Sequence, residues 1–134
     1  MLKLVLDTNV VVSALMSVNG NPAKILDLVT DGHVKICYSS QVLTEYIDVL
    51  NRPQFSFIKE NSDSFIQGVQ KVGLLSDPPS SSLPFIDEDD RCFYDVAVHC
   101  DAILVTGNMK HYPIEEFIVS PAEFLTIYKT LSNI

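Results

Sequence analysis

The 134-residue chain is 47% hydrophobic, which supplies enough apolar side chain for a globular core and excludes an intrinsically disordered chain. No stretch approaches the roughly 18 uninterrupted apolar residues of a membrane-spanning helix, and the first residues lack the shape of a cleavable signal, so we expect a cytoplasmic protein with no membrane association. The net charge of −8, from 17 acids and 9 bases, argues by itself against a nucleic-acid binder, whose surface is normally basic.

Short apolar runs alternate with helical patterns along the chain. The predicted strands are Lys3–Leu6, Val34–Tyr38, a brief one at Leu74–Leu75, Ile103–Thr106 and Phe117–Val119. The predicted helices are Ala23–Thr30 behind Pro22, one from Ser39 or Ser40 to Asn51 or Arg52, Asn61–Val72, one opened by Asp87–Asp90 and running to about Cys100, and Pro121 to about Leu131. This alternation predicts one α/β domain over residues 1–134, a three-layer α/β/α sandwich around a short, mainly parallel sheet.

Two further segments do not fit this alternation of strands and helices. Periodicity leaves Val10–Leu15 undecided between strand and helix. Asp77–Pro84 contains three prolines and three consecutive serines, and we predict a loop there, either a gate or an idle connection.

Polar residues follow two of the predicted strands, where an open α/β sheet binds its ligands. These segments are Asp7-Thr8-Asn9 and Thr106-Gly107-Asn108. Asp7 ends an apolar strand, and a buried carboxylate is costly unless it is paired, hydrogen-bonded or bound to a cation. The position alone fits equally well an aspartate that accepts backbone N–H groups at the next turn.

The position of each remaining acid on its predicted helix indicates whether the side chain faces the core or the solvent. Glu45 falls on the boundary between the apolar and polar faces of its helix, so it can line a cleft or remain a solvated flank. Asp90 lies near the buried face of the fourth helix, whereas Asp95 is expected to point outward. Asp87 is the predicted N-cap of that helix, where an acid interacts favourably with the helix dipole.

Carboxylates that converge in one cleft repel each other unless a divalent cation lies between them. Oxygen-only ligands suit Mg²⁺ or Mn²⁺ rather than Zn²⁺, and such a site can promote phosphoryl transfer. Motifs for zinc hydrolases, serine hydrolases and nucleotide-binding loops are absent from the sequence.

Four segments stand out in order along the chain: LVLDTNVVVSAL, SSQVLTEYIDVLNRPQF, DEDDRCFYDVAVHCDAILVTGN and VSPAEFL. Together they span nearly the whole chain, and they resemble the PIN-domain family, more narrowly its bacterial toxin-like members akin to VapC ribonucleases. The resemblance implies a parallel α/β sandwich that cleaves RNA with Mg²⁺ or Mn²⁺ held by acids. By position, the metal ligands are Asp7, Glu45 and Asp90. Asn108 stands where the family usually has a fourth acid, so that position supplies no charge.

The predicted function is therefore a metal-dependent endoribonuclease, the toxin component of a toxin–antitoxin pair. Around the metal ligands and Asn108, the residues expected to orient water or contact RNA are Asn9, Ser13, Thr106, Arg52, Arg91 and Lys110. The expected partners are RNA, a cognate antitoxin and a second copy of the chain. Asn108 also favours an alternative, a non-catalytic PIN-like RNA-binding or interaction module. A phosphatase or receiver that uses Asp7 would want a second aspartate where Asn9 stands.

Overall fold

A computed structural model describes residues 1–132 and contains a five-stranded parallel sheet. The strands are β1 (Lys3–Leu6), β2 (Lys35–Tyr38), β3 (Leu74–Leu75), β4 (Ile103–Val105) and β5 (Ile118–Val119). Their order across the sheet is β3-β2-β1-β4-β5, and every neighbouring pair is parallel. The predicted α/β fold with a short parallel sheet is confirmed.

In the described part of the chain, six α-helices connect and flank the strands. They are α1 (Thr8–Met16), α2 (Asn21–Thr30), α3 (Ser40–Leu50), α4 (Lys59–Val72), α5 (Arg91–Cys100) and α6 (Pro121–Ser132). Short 3-10 turns lie at Pro53–Ile58, Glu88–Asp90 and Met109–His111. Within residues 1–132, no helix is both long enough and apolar enough to cross a membrane.

The strand order places a crevice beside β1. The chain moves outward from β1 through β2 to β3, and then returns to β4 on the other side of β1. Connections that diverge from neighbouring strands open a crevice at the carboxyl ends of those strands. Leu6 of β1 is in register with Val105 of β4, so Asp7 and Thr106 emerge side by side at that crevice.

The central strands are buried on both faces, which explains their continuous apolar sequence. Leu4, Val5 and Leu6 are fully buried, as are Leu104 and Val105. A core of this kind fixes the ends of β1 and β4 rigidly, because interiors are packed as densely as organic crystals.

The structure settles several local predictions. Val10–Leu15 is helical, as part of α1, which begins directly after Asp7. Thr106 lies just beyond β4 rather than inside it, although its N–H still donates to the carbonyl of Val119. Asp87 caps the 3-10 turn that precedes α5, accepting a bond from the N–H of Asp89 at 3.0 Å.

The Asp77–Pro84 loop contains no helix or strand, as predicted, and hydrogen bonds attach its first residue to α3. The carboxylate of Asp77 accepts hydrogen bonds from the N–H of Ser40 at 2.7 Å and from its hydroxyl at 3.0 Å. These bonds fix the start of the loop at the N-terminus of α3, which Ser39 also caps through the N–H of Val42.

Candidate functional site

Asp7 is a buried carboxylate with two hydroxyl donors. Its side chain follows β1 and is 5% exposed. Its Oδ2 atom accepts hydrogen bonds from the Thr106 hydroxyl at 2.8 Å and from the Tyr112 hydroxyl at 2.9 Å. Burial raises the pKa of Asp7 above its ordinary value, and these two hydrogen bonds, together with the backbone N–H groups of Thr8 and Asn9, oppose the rise only in part.

A small hydrogen-bond network joins the segments that follow β1 and β4. The N–H of Gly107 donates to Oδ1 of Asn9 at 3.1 Å, and the N–H of Asn108 donates to the Thr106 hydroxyl at 2.9 Å. The Thr106 hydroxyl therefore accepts one hydrogen bond from its own segment and donates another to Asp7. The two polar segments picked out in the sequence form one connected edge.

Asp90 comes to this edge from the start of α5. Its side chain is 13% exposed, and its Oδ2 lies 3.2 Å from Nδ1 of His111. Burial, followed by the charges of Asp7 and Asp87, raises the pKa of Asp90 to about 6, and His111 opposes this rise. Asp7 and Asp90 thus share one negatively charged region.

Glu45 lies half-buried on α3. Burial is the main reason that its pKa is raised, and the charges of Asp89, Asp48 and Asp87 add to the effect, while Arg52 opposes it. The side chain therefore stands within electrostatic reach of the acidic turn before α5.

The donor chemistry of these side chains fits a divalent cation. Asp7, Glu45 and Asp90 offer carboxylate oxygens whose raised pKa values express repulsion or burial that a cation would relieve. The hydroxyl of Thr8, beside Asp7, is buried and has no hydrogen-bond partner among residues 1–132. In that same part of the chain, no group of three or more His, Cys, Asp or Glu is close enough together to hold a metal ion. Asp7 and Asp90 act on each other directly, whereas Glu45 is linked to the acidic turn at Asp87 and Asp89, so the three acids do not form a closed cage.

Three of the predicted polar residues line an open cleft next to this edge. Asn9, Ser13 and Asn108 border a cavity of about 270 Å³ together with the first residues of α6 and α2. Ser13 and Asn108 are exposed, so the cleft is accessible from solvent. Lys110 is also exposed and lies two residues after Asn108 in the same segment.

Arg91 and Asp95 hold the loop before α5. Arg91 is 14% exposed; its guanidinium pairs with Glu88 at 2.8 Å, donates to the carbonyl of Ser81 at 2.7 Å and lies 4.9 Å from the centre of the Phe85 ring. Asp95 is half-buried and accepts the N–H of Ser81 at 3.0 Å. The expectation that Asp95 points outward is wrong, because the loop folds over that face of α5. Arg91 is engaged by the protein itself, which does not favour its predicted contact with RNA.

The sequence interpretation missed two residues of the site, His111 and Tyr112. They contact Asp90 and Asp7, respectively. Both lie in the irregular segment between β4 and β5, where no periodic pattern indicates which side chains turn inward. The one available signal is their position a few residues after Asn108.

Comparison with known proteins assigns the family. A family model described as a PIN domain matches residues 3–110. This chain belongs to the PIN-domain family. The match covers the strands, helices and turns that carry Asp7, Glu45, Asp90 and Asn108, and the family resemblance drawn from the sequence motifs is confirmed.

Two known proteins are similar to this PIN domain. An uncharacterized protein of Methanocaldococcus jannaschii is 32% identical over 110 residues, which are 80% of this chain and 71% of the relative. The crystal structure of VapBC2 from Rickettsia felis, bound to a DNA fragment from its promoter, matches with a TM-score of 0.59 and 23% identity. That match covers 89% of this chain and 98% of the other, and at this identity it shows a shared fold.

Proposed function

We propose that this PIN domain is a metal-dependent endoribonuclease that hydrolyses RNA phosphodiester bonds. The observation that carries the proposal is the meeting of Asp7 and Asp90 at the carboxyl edge of β1 and β4, where the charge of Asp7 contributes to the raised pKa of Asp90. Such a pair is costly in a protein without a cation. PIN domains are generally nucleases, and the strand edge is where an open α/β sheet binds its ligand.

Each residue has a proposed part in the reaction. Asp7, Glu45 and Asp90 would hold Mg²⁺ or Mn²⁺, which when bound stabilises charge on the phosphate and lowers the pKa of water. The catalytic set includes Asn108, whose amide would orient water or substrate without adding charge. Asn9 and Ser13, which border the open cleft, would contact the RNA backbone, and Thr106 would support Asp7.

An acidic protein must still attract a polyanion. Lys110 is exposed two residues after Asn108, and Arg52 is 51% exposed and close enough to Glu45 to influence its pKa. We assign the phosphate contacts to these two bases. Arg91 is nearly buried and engaged by Glu88 and Ser81, whereas the ion pair of Arg52 with Asp48 is solvent-exposed and therefore weak. Phosphate contacts of this kind supply affinity without sequence information.

The same proposal includes protein partners. The Rickettsia felis structure of similar fold is a VapBC2 complex bound to promoter DNA, and we propose that this chain is likewise the toxin component of a toxin–antitoxin pair. A net charge of −8 would favour a basic antitoxin segment, since complementary charge promotes association. We further propose a homodimer, to be tested by light scattering at several concentrations.

Cleavage of a mixed-sequence fluorogenic RNA tests the proposal. The reaction is run with Mg²⁺, with Mn²⁺ and with a chelator, for the unmodified protein and for Asp90→Asn. We expect cleavage with metal, none with chelator and none from the variant. Cleavage that survives both the chelator and the variant would contradict the assigned site.

Asn108 favours a second candidate function, a non-catalytic RNA-binding or interaction module. The fourth acidic position lacks charge, and the acids of residues 1–132 form no closed group of three. A module of this kind would bind RNA or a partner equally well in Asp90→Asn and in the unmodified protein. Metal-dependent cleavage that Asp90→Asn abolishes would eliminate this candidate.

A further inference from the structure

Tyr112 is a buried tyrosine that nothing in the sequence patterns connects with the site. It lies directly after the 3-10 turn Met109–His111 and is 6% exposed. Its hydroxyl reaches Oδ2 of Asp7 at 2.9 Å, across 105 residues of sequence. A buried hydroxyl needs a partner, and here that partner is the central carboxylate of the proposed site.

The two oxygens of Asp7 are treated differently by the protein. Oδ2 accepts both the Thr106 hydroxyl, at 2.8 Å, and the Tyr112 hydroxyl. A carboxylate oxygen has about two acceptor positions, so these two donors occupy Oδ2. Among residues 1–132, Oδ1 accepts no side-chain hydrogen bond, and the donors that act on the rest of the carboxylate are the backbone N–H groups of Thr8 and Asn9.

The Tyr112 ring is held by an aromatic cluster, defined here as Phe85, Tyr94, Tyr112 and Phe117. Phe85 packs edge-on against Tyr112, with ring centres 6.0 Å apart, and against Tyr94 at 5.5 Å. The Arg91 guanidinium lies over the Phe85 ring, 4.9 Å from its centre, and donates to the carbonyl of Ser81 in the preceding loop. The loop and the start of α5 therefore fix where the Tyr112 hydroxyl points.

The Tyr112 hydroxyl acts as a hydrogen-bond donor to Asp7. A tyrosine hydroxyl is protonated at neutral pH, because its ordinary pKa is about 10. An ionised carboxylate can only accept, so the bond between these two side chains runs from Tyr112 to Oδ2 of Asp7.

We propose that Tyr112 is a positioning residue for the metal ligand Asp7: by donating to Oδ2 alongside Thr106, it holds the carboxylate in one orientation and so favours the binding of a cation through Oδ1. This inference rests on the proposed function, because it assumes that Asp7 holds a divalent ion. It adds Tyr112, from the segment between β4 and β5, to the residues of the proposed site. It also gives a role to Phe85, which directly follows the Asp77–Pro84 loop and packs against Tyr112. Donors behind a metal ligand fix its orientation in this way.

The test is Mn²⁺ binding, measured by the loss of the free Mn²⁺ signal in electron paramagnetic resonance. Tyr112→Phe removes one hydroxyl and keeps the ring against Phe85. Tyr94→Phe is the matched control, because it removes a hydroxyl from the same aromatic cluster without touching Asp7. We expect Tyr112→Phe to raise the Kd for Mn²⁺ by about tenfold, and Tyr94→Phe to change it by less than about twofold. In RNA cleavage, Tyr112→Phe should lower kcat and leave KM unchanged.

Asp7→Asn separates failure of this inference from failure of the proposed function. If the unmodified protein and Asp7→Asn bind Mn²⁺ equally poorly, the metal site itself is wrong. If Asp7→Asn loses the ion while Tyr112→Phe binds it as tightly as the unmodified protein, the metal site stands and Tyr112 is only a packing residue.

Thr106→Val keeps the inference testable should Tyr112→Phe fail to fold. It removes the other donor to Oδ2 with little change of shape, and an increase of about tenfold in the Kd for Mn²⁺ is expected. An unchanged Kd in Thr106→Val would show that the occupation of Oδ2 has no bearing on the cation, and would overturn the inference.

Discussion

Asp7 and Asp90 lie 83 positions apart in the sequence and act on each other in the fold: the charge of Asp7 is the largest contribution after burial to the raised pKa of Asp90, about 6. One carboxylate follows β1 and the other precedes α5. Two hydroxyls stabilise Asp7, and His111 contacts Asp90. The pair is unfavourable for the fold by itself, and a site that carries such a cost is a candidate for function.

Replacing Asp90 with asparagine distinguishes the effect of this carboxylate on the stability of the fold from its effect on RNA cleavage. Asp90→Asn should abolish metal-dependent RNA cleavage, since it removes a proposed ligand, while the protein remains folded because a repelling charge is lost. Cleavage and thermal unfolding measure the two effects. Asp95→Asn is the matched control on the same helix, and it should cleave RNA normally because Asp95 holds only the loop at Ser81. Full activity in Asp90→Asn would mean that the acidic cluster is wrongly assigned.

The stability of the metal-free protein should depend on pH through Asp90. Its pKa is about 6 in the folded protein and 3.8 in its ordinary state, so between these values the folded state binds more protons. The contribution of Asp90 to stability is therefore greatest below about pH 4 and is lost as pH rises through 6, by about 3 kcal/mol at most. Burial is the main cause of this raised pKa, the charges of Asp7 and Asp87 add to it, and His111 opposes it.

Urea unfolding at pH 4.5 and pH 7 measures this dependence. The free energy of unfolding of Asp90→Asn minus that of the unmodified protein should become more positive from the lower to the higher pH. Subtracting the two proteins cancels acids such as Glu123, whose pKa is lowered by its bonds to Ser120 and which therefore favours the fold at higher pH. A difference that is constant with pH would show that Asp90 is not destabilising when ionised.

Several parts of the site could be predicted because they follow local rules. A continuous apolar run predicts β1, so Asp7 is placed at the strand's carboxyl end, and the same reasoning places Thr106 after β4. The helical wheel indicates that Asp90 turns inward. These predictions need only the period of an element and the general geometry of parallel sheets.

Tyr112 and the role of Arg91 could not be predicted, because tertiary packing decides them. Tyr112 lies in irregular chain and finds a partner 105 residues away. Arg91 directly follows the acidic run Asp87–Asp90, which favours a substrate contact on sequence grounds. In the structure the Asp77–Pro84 loop folds back, and the carbonyl of Ser81 in that loop accepts a hydrogen bond from the Arg91 guanidinium. The spacing of residues in the sequence does not indicate where an irregular loop of this kind will pack.

Arg91 and Lys110 should behave differently when each is replaced by alanine. Arg91→Ala should lower stability by about 1–3 kcal/mol, because the bonds to Ser81 and the stacking on Phe85 are partly buried. Lys110→Ala should leave stability unchanged and weaken RNA binding, reducing the slope of log K against log salt by about one. Thermal unfolding and RNA binding at several salt concentrations distinguish the two.

The opposite pattern would reverse the assignment of the phosphate contacts. A reduced salt slope in Arg91→Ala with an unchanged melting temperature would place RNA on Arg91 and would require the loop to release its guanidinium. An unchanged slope in Lys110→Ala would remove Lys110 from the RNA path.

Restoring an acid at Asn108 tests the departure from the family pattern. The Asn108 side chain is exposed at the cleft, and its N–H donates to Thr106, which donates in turn to Asp7. A carboxylate there adds charge beside the proposed metal ligands, so Asn108→Asp should keep or raise the affinity for Mn²⁺. Asn19→Asp, at an exposed turn between α1 and α2, makes the same change in net charge and should have no effect. Calorimetric titration measures both, and weaker binding in Asn108→Asp alone would show that this position lies outside the cation's surroundings.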